Sequence, residues 1–61
     1  MYSKFIELCN QKGITPYRVS KDTGIGQSTL SNWKSGRSTP KIDKIITLSK
    51  YFDVALSYFF E

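Results

Sequence analysis

Histidine is absent from this chain of 61 residues, and cysteine, tryptophan and methionine each occur once. Without imidazole there is no ready metal ligand and no acid–base group that titrates near neutrality. A lone cysteine, Cys9, forms no internal disulfide and leaves no cysteine–histidine pair for nucleophilic work. No metal or cofactor is therefore expected. Long apolar runs are also missing: nothing approaches the ~18 residues of a membrane span, and no signal-peptide pattern opens the chain. The expectation is a cytoplasmic protein with no membrane partner. Acidic residues are few, and Glu7, Asp22, Asp43 and Asp53 fall on different predicted helices. The length allows one domain, residues 1–61, and leaves no room for a substrate cavity of ~300 Å³ or more, so an enzyme is not expected.

What is present is basic. Nine Lys and Arg face five Asp and Glu, for a net charge of +4. The excess is concentrated in Lys12, Arg18, Lys21, Lys34, Arg37, Lys41 and Lys44, with Asp22 and Asp43 as the acids between them. Charge alone fits two readings, a polyanionic partner or a solvated surface kept for solubility.

Helical periodicity runs through the chain, and no stretch alternates as a strand would. Over Tyr2 to Lys12, at ~100° per residue, Tyr2, Phe5, Ile6, Leu8 and Cys9 share one arc. Cys9 reads as a small core hydrophobe there, and Gly13 as the cap that ends the helix. Thr15-Pro16 pairs a capping hydroxyl with a first-turn proline and starts a second helix, which Gly24 ends. A third runs from Gln27 to about Ser35 and stops at Gly36. Thr39-Pro40 repeats the start signal for a fourth, to about Phe52, with Ile42, Ile45, Leu48, Ser49 and Phe52 on one face. Asp53 breaks it, and Val54 to Phe60 form a last short helical segment. The predicted architecture is all-α, a bundle of five short helices.

The spacing from Pro16 to Gly36 meets the demands of two short helices crossing steeply. Ser20 is small where the second helix of the pair must approach, Gly24 supplies a left-handed turn, and Val19, Ile25, Leu30 and Trp33 clamp the pair to a core. With GITPYRVSKDTGIGQSTLSNWKSGRSTP and LSKYFDVALSYFF, nearly the whole chain resembles the phage-repressor-type (Xre/Cro/C1-like) helix-turn-helix domain. The resemblance implies a five-helix, lambda-repressor-like DNA-binding domain of bacterial or phage origin that sets its third helix in the major groove. Three positions depart from the pattern. Pro16 stands where many relatives carry a phosphate-gripping glutamine, a contact that the N–H of Tyr17 or Arg18 can replace. Gly26 caps the third helix where a hydroxyl is common, and Ala55 lacks the hydroxyl that usually caps the last one, which predicts a short or frayed end.

On the third helix Leu30 and Trp33 point inward, Trp33 as a core wedge and not as a stacking platform. Gln27, Ser28, Ser31, Asn32 and Ser35 point outward, with Thr29 and Lys34 at the margins. This face is uncharged at its centre and rich in groups that donate and accept, which suits base edges: amides match adenine and serine fits either pair. The family places base readers at the first residues of this helix and one turn on, which here are Gln27, Ser28, Ser31 and Asn32. The absence of arginine on the face removes the commonest guanine contact, so the contacted bases are expected to lean to A·T. Phosphate contacts are assigned to Tyr17, Arg18, Lys21, Thr29, Lys34, Arg37 and Lys41.

Tyr51, Phe52, Tyr58, Phe59 and Phe60 are more aromatic surface than so small a core can bury. Part of it is expected to cover the first helix. The rest fits either a homodimer interface, such as the family uses on palindromic sites ~34 Å between half-sites, or a junction to a further domain. The leading function is sequence-specific regulation of transcription from double-stranded DNA, as a repressor. The alternatives are an antitoxin that also binds a toxin partner, and a protein-interaction module on the same fold that leaves DNA alone.

Overall fold

A computed structural model describes residues 1–61 as four α-helices and one 3₁₀ segment, with no strand. Helix α1 spans Tyr2–Lys12, α2 Pro16–Thr23, α3 Gln27–Ser35 and α4 Ile42–Phe52; the 3₁₀ segment is Leu56–Phe60. The first three begin and end where their capping residues stand. Thr15 Oγ1 accepts the Arg18 N–H at 3.2 Å with Pro16 at the first helical position. Gly13, Gly24 and Gly36 close α1, α2 and α3 in the left-handed conformation.

Two expectations are corrected. The fourth helix does not start at Pro40. Pro40 precedes an extended Lys41, whose carbonyl is the first to accept helical bonds, from Lys44 N at 3.0 Å and Ile45 N at 3.2 Å. Ile42 then lies in the opening turn, ahead of the packed positions, and is 55% exposed instead of sharing the buried face. The fifth helix is not an α-helix. Ala55 offers no side-chain acceptor to its first N–H groups, and five residues of 3₁₀ turn are what forms.

One apolar cluster joins the elements: Phe5, Leu8 and Cys9 from α1, Val19 from α2, Ile25 from the turn, Leu30 and Trp33 from α3, Ile45, Leu48 and Phe52 from α4, and Phe59 from the tail. Phe5 and Phe52 meet edge to face, ring centroids 6.1 Å apart. Helix α2 packs on both α3 and α4, and the 3₁₀ segment closes against α1 and α4. Phe59 goes into the core and Lys4 Nζ lies 5.1 Å from the Tyr58 ring centroid, so the tail does cover α1, while Phe60 remains 65% exposed. Burial pushes the Cys9 thiol up, which keeps it protonated and unreactive in the core.

Gly24 is where the chain reverses between α2 and α3, at φ 79°. No atom lies within 4 Å of a Cβ built there, so Gly24→Ala adds no clash and only the cost of a left-handed residue. Urea denaturation should show a loss of about 1–2 kcal/mol. Asparagine, which tolerates this region, should lose less.

Candidate nucleic-acid interface

The surface that α3 presents follows from how it is anchored. Leu30 and Trp33 lock one side of the helix into the core at 4% and 6% exposure. The opposite side is thereby turned to solvent: Gln27, Ser28 and Ser31 are exposed, and Thr29 and Asn32 are half-buried at one edge. Asn32 is thus less outward than its helical angle implied. No side-chain hydrogen bond of the structure involves the side chains of Gln27, Ser28, Ser31 or Asn32. Four neighbouring groups therefore hold their donors and acceptors free on one face.

Ser35 is spent differently. Its hydroxyl donates to the Asn32 carbonyl at 3.2 Å and accepts from the Arg37 N–H at 3.4 Å, closing the helix and fixing where the Arg37 backbone departs. Arg37 N–H also donates to the Asn32 carbonyl at 2.9 Å. This local use of a serine is invisible to a helical wheel, which reports only that it faces out.

The cations assigned to phosphate divide into two groups. Lys34, Arg37 and Lys41 are exposed and take part in no ion pair. Arg18 is engaged, with Nε 2.9 Å from Asp22 Oδ2, an i,i+4 pair that the sequence spacing contained. The Tyr51 hydroxyl donates to the same carboxylate oxygen at 2.6 Å and so ties α4 to α2. Lys21 Nζ sits over the Tyr17 ring, 5.6 Å from its centroid. The Arg18 N–H is taken by the Thr15 cap, so of the two N–H groups considered as substitutes for the missing glutamine, only that of Tyr17 is free of this bond.

Asp22 is held below the usual carboxylate range, chiefly by the Tyr51 hydrogen bond and then by that of Arg18. A depressed folded-state pKa adds stability above the unfolded value of about 4, and that contribution disappears as pH falls through the folded value. Urea denaturation of wild type and Asp22→Asn should therefore differ most near neutral pH, and the difference should shrink as pH falls below the unfolded value of about 4 and through the folded one. A difference independent of pH would refute the assignment.

Between the start of α2 and α3 lies an open cavity of about 310 Å³, lined by Tyr2, Pro16, Tyr17, Gln27, Leu30, Ser31 and Lys34. The expectation that so short a chain has no cavity of this size is corrected: Tyr2 of α1, Pro16 and Tyr17 of α2 and the residues of α3 leave an open cleft where the three helices meet. Its polar lining is Tyr2, Tyr17, Gln27, Ser31 and Lys34, with no carboxylate and no thiol.

An all-helical chain with an anchored helix, a free polar face and exposed flanking cations has the build of the helix-turn-helix class. Comparison with protein families agrees: a model described as helix-turn-helix matches residues 6–59, nearly the whole chain. The chain belongs to this family of helix-turn-helix, DNA-binding regulators. Neither the curated proteins nor the solved structures gave a match. No helix is long and apolar enough to cross a membrane.

Proposed function

We propose that the protein is a sequence-specific repressor that inserts α3 into the major groove of double-stranded DNA and binds a palindromic operator as a homodimer, with residues 1–61 acting as one DNA-binding domain. The observation that carries this reading is the free face of Gln27, Ser28, Ser31 and Asn32 on a helix whose other side is buried. An α-helix with its side chains is about 10–12 Å across, which fits the major groove at about 12 Å wide. Thr29, Lys34, Arg37 and Lys41, with Tyr17, Arg18 and Lys21 on α2, contact the flanking phosphates; Arg18 gives up Asp22 to do so. The largest extent of the chain is 25 Å, less than the roughly 34 Å between half-sites, so a palindrome needs two copies. Exposed Phe60, Ile42 and Ile46 provide apolar surface for contact between them. Repression follows where the bound dimer covers a promoter.

Selection from a random duplex library tests the reading. The expected product is a palindromic motif with A·T-leaning half-sites. A core of G·C pairs alone would defeat the proposed base contacts, and a flat salt titration would defeat DNA binding itself. Gln27→Ala or Asn32→Ala should relax the motif at one or two positions, by about 1–3 kcal/mol of discrimination each.

A further inference from the structure

Both backbone polar groups of Ile25 are held by side-chain hydroxyls. Ile25 is 3% exposed, and no backbone–backbone hydrogen bond reaches it. Its N–H donates to Thr23 Oγ1 at 3.2 Å, and its carbonyl accepts from Ser20 Oγ at 2.6 Å. The Thr23 hydroxyl donates onward to the Val19 carbonyl at 2.7 Å. We propose that Ser20 and Thr23 are positioning residues for base reading: they fix the direction in which α3 leaves the turn. The proposal rests on α3 being the base-reading helix.

A buried backbone group must be paired, and here the pairing comes from α2. Ser20 and Thr23 stand three residues apart on that helix and grip the linker from one side. The linker is Gly24-Ile25-Gly26, and its glycines leave the chain between the helices intrinsically free to take other directions. Apolar contact holds α3 to the core but is non-directional. The two hydroxyls supply the direction. Ser31 lies four residues beyond Gln27, roughly 6 Å along the helix, so a tilt of about 15° where α3 starts displaces it by roughly 1.5 Å. Base-edge hydrogen bonds do not survive that displacement, whereas phosphate contacts through long lysine and arginine side chains adjust to it.

The test compares Ser20→Ala and Thr23→Val with Thr23→Ser, which keeps the hydroxyl. Two quantities are measured: the ratio of affinities for the selected and a scrambled duplex, and the orientation of α3 relative to α2 from residual dipolar couplings in the DNA-free protein. Ser20→Ala and Thr23→Val should each lower the ratio about tenfold, leave scrambled-duplex affinity unchanged, and disorder or reorient α3. Thr23→Ser should return the ratio to within about twofold of wild type. An unchanged ratio with unchanged couplings in the folded variants overturns the proposal. A wild type with no sequence preference would instead overturn the base-reading assignment, and the couplings then decide the role of the hydroxyls alone. Ser20→Ala removes one oxygen from a half-buried site and carries the test if Thr23→Val does not fold.

Discussion

Replacing Lys34, Arg37 and Lys41 together by alanine is expected to remove more than half of the salt dependence of DNA binding. Each neutralised phosphate contributes about 0.9 to the slope of log K against log salt, and a dimer would lose six such contacts. The slope should therefore fall by about five. Wild type with six to ten contacts loses about 10³ to 10⁵ in affinity between 50 and 200 mM salt; the triple variant should bind far more weakly at 50 mM and, with Arg18 and Lys21 left on each copy, lose only about 10²-fold more by 200 mM. All three side chains are exposed and outside the ion pair at Asp22, so the helical circular dichroism should not change. Fluorescence anisotropy with a labelled operator at several salt concentrations measures the slope. A reduction of less than two would move the phosphate contacts to Arg18 and Lys21, and so to the other side of the turn. Because phosphates carry no base identity, the motif selected by residual binding should stay the same.

Trp33→Ala is expected to unfold a large fraction of the protein. A buried tryptophan truncated to alanine typically costs about 3–5 kcal/mol through lost burial and the cavity left behind. At about 0.05–0.15 kcal/mol per residue, a domain of this size has only about 3–9 kcal/mol in total. Trp33 is 6% exposed and, with Leu30, is what holds α3 to the rest. Trp33→Phe keeps part of the volume and should retain the fold with a lower urea midpoint. Circular dichroism is the suitable probe, since the substitution removes the sole tryptophan. Full stability in Trp33→Ala would mean that α3 is held chiefly by the turn and not by its buried face.

Much of this was legible along the chain. The boundaries of α1, α2 and α3 were readable because their signals are local: Thr15-Pro16 opens a helix through its own side chain and ring, and Gly13, Gly24 and Gly36 end helices by their own backbone freedom. The start of α4 was not. Thr39-Pro40 carries the same signal as Thr15-Pro16, yet helical bonding begins at Lys41, so the dipeptide marks a neighbourhood and not a residue. The failed α-helix at the tail had a local cause, the missing cap at Ala55.

The candidate site divides in the same way. Spacing alone separated Leu30 and Trp33 from the polar face of α3, because helical geometry assigns faces without any partner. Chain order also contained the Arg18–Asp22 pair, four residues apart. Tertiary structure decided the rest. Tyr51 reaches Asp22 across 29 positions, a contact that no local pattern encodes. The cleft exists only because residues of α1, α2 and α3, Tyr2, Tyr17 and Leu30 among them, come together. Asn32 is half-buried because of what packs beside it. Periodicity and capping act within one or two helical turns and so are written in adjacent residues; which side chain meets which across the core depends on how four helices close on one another, and that is settled only when they have packed.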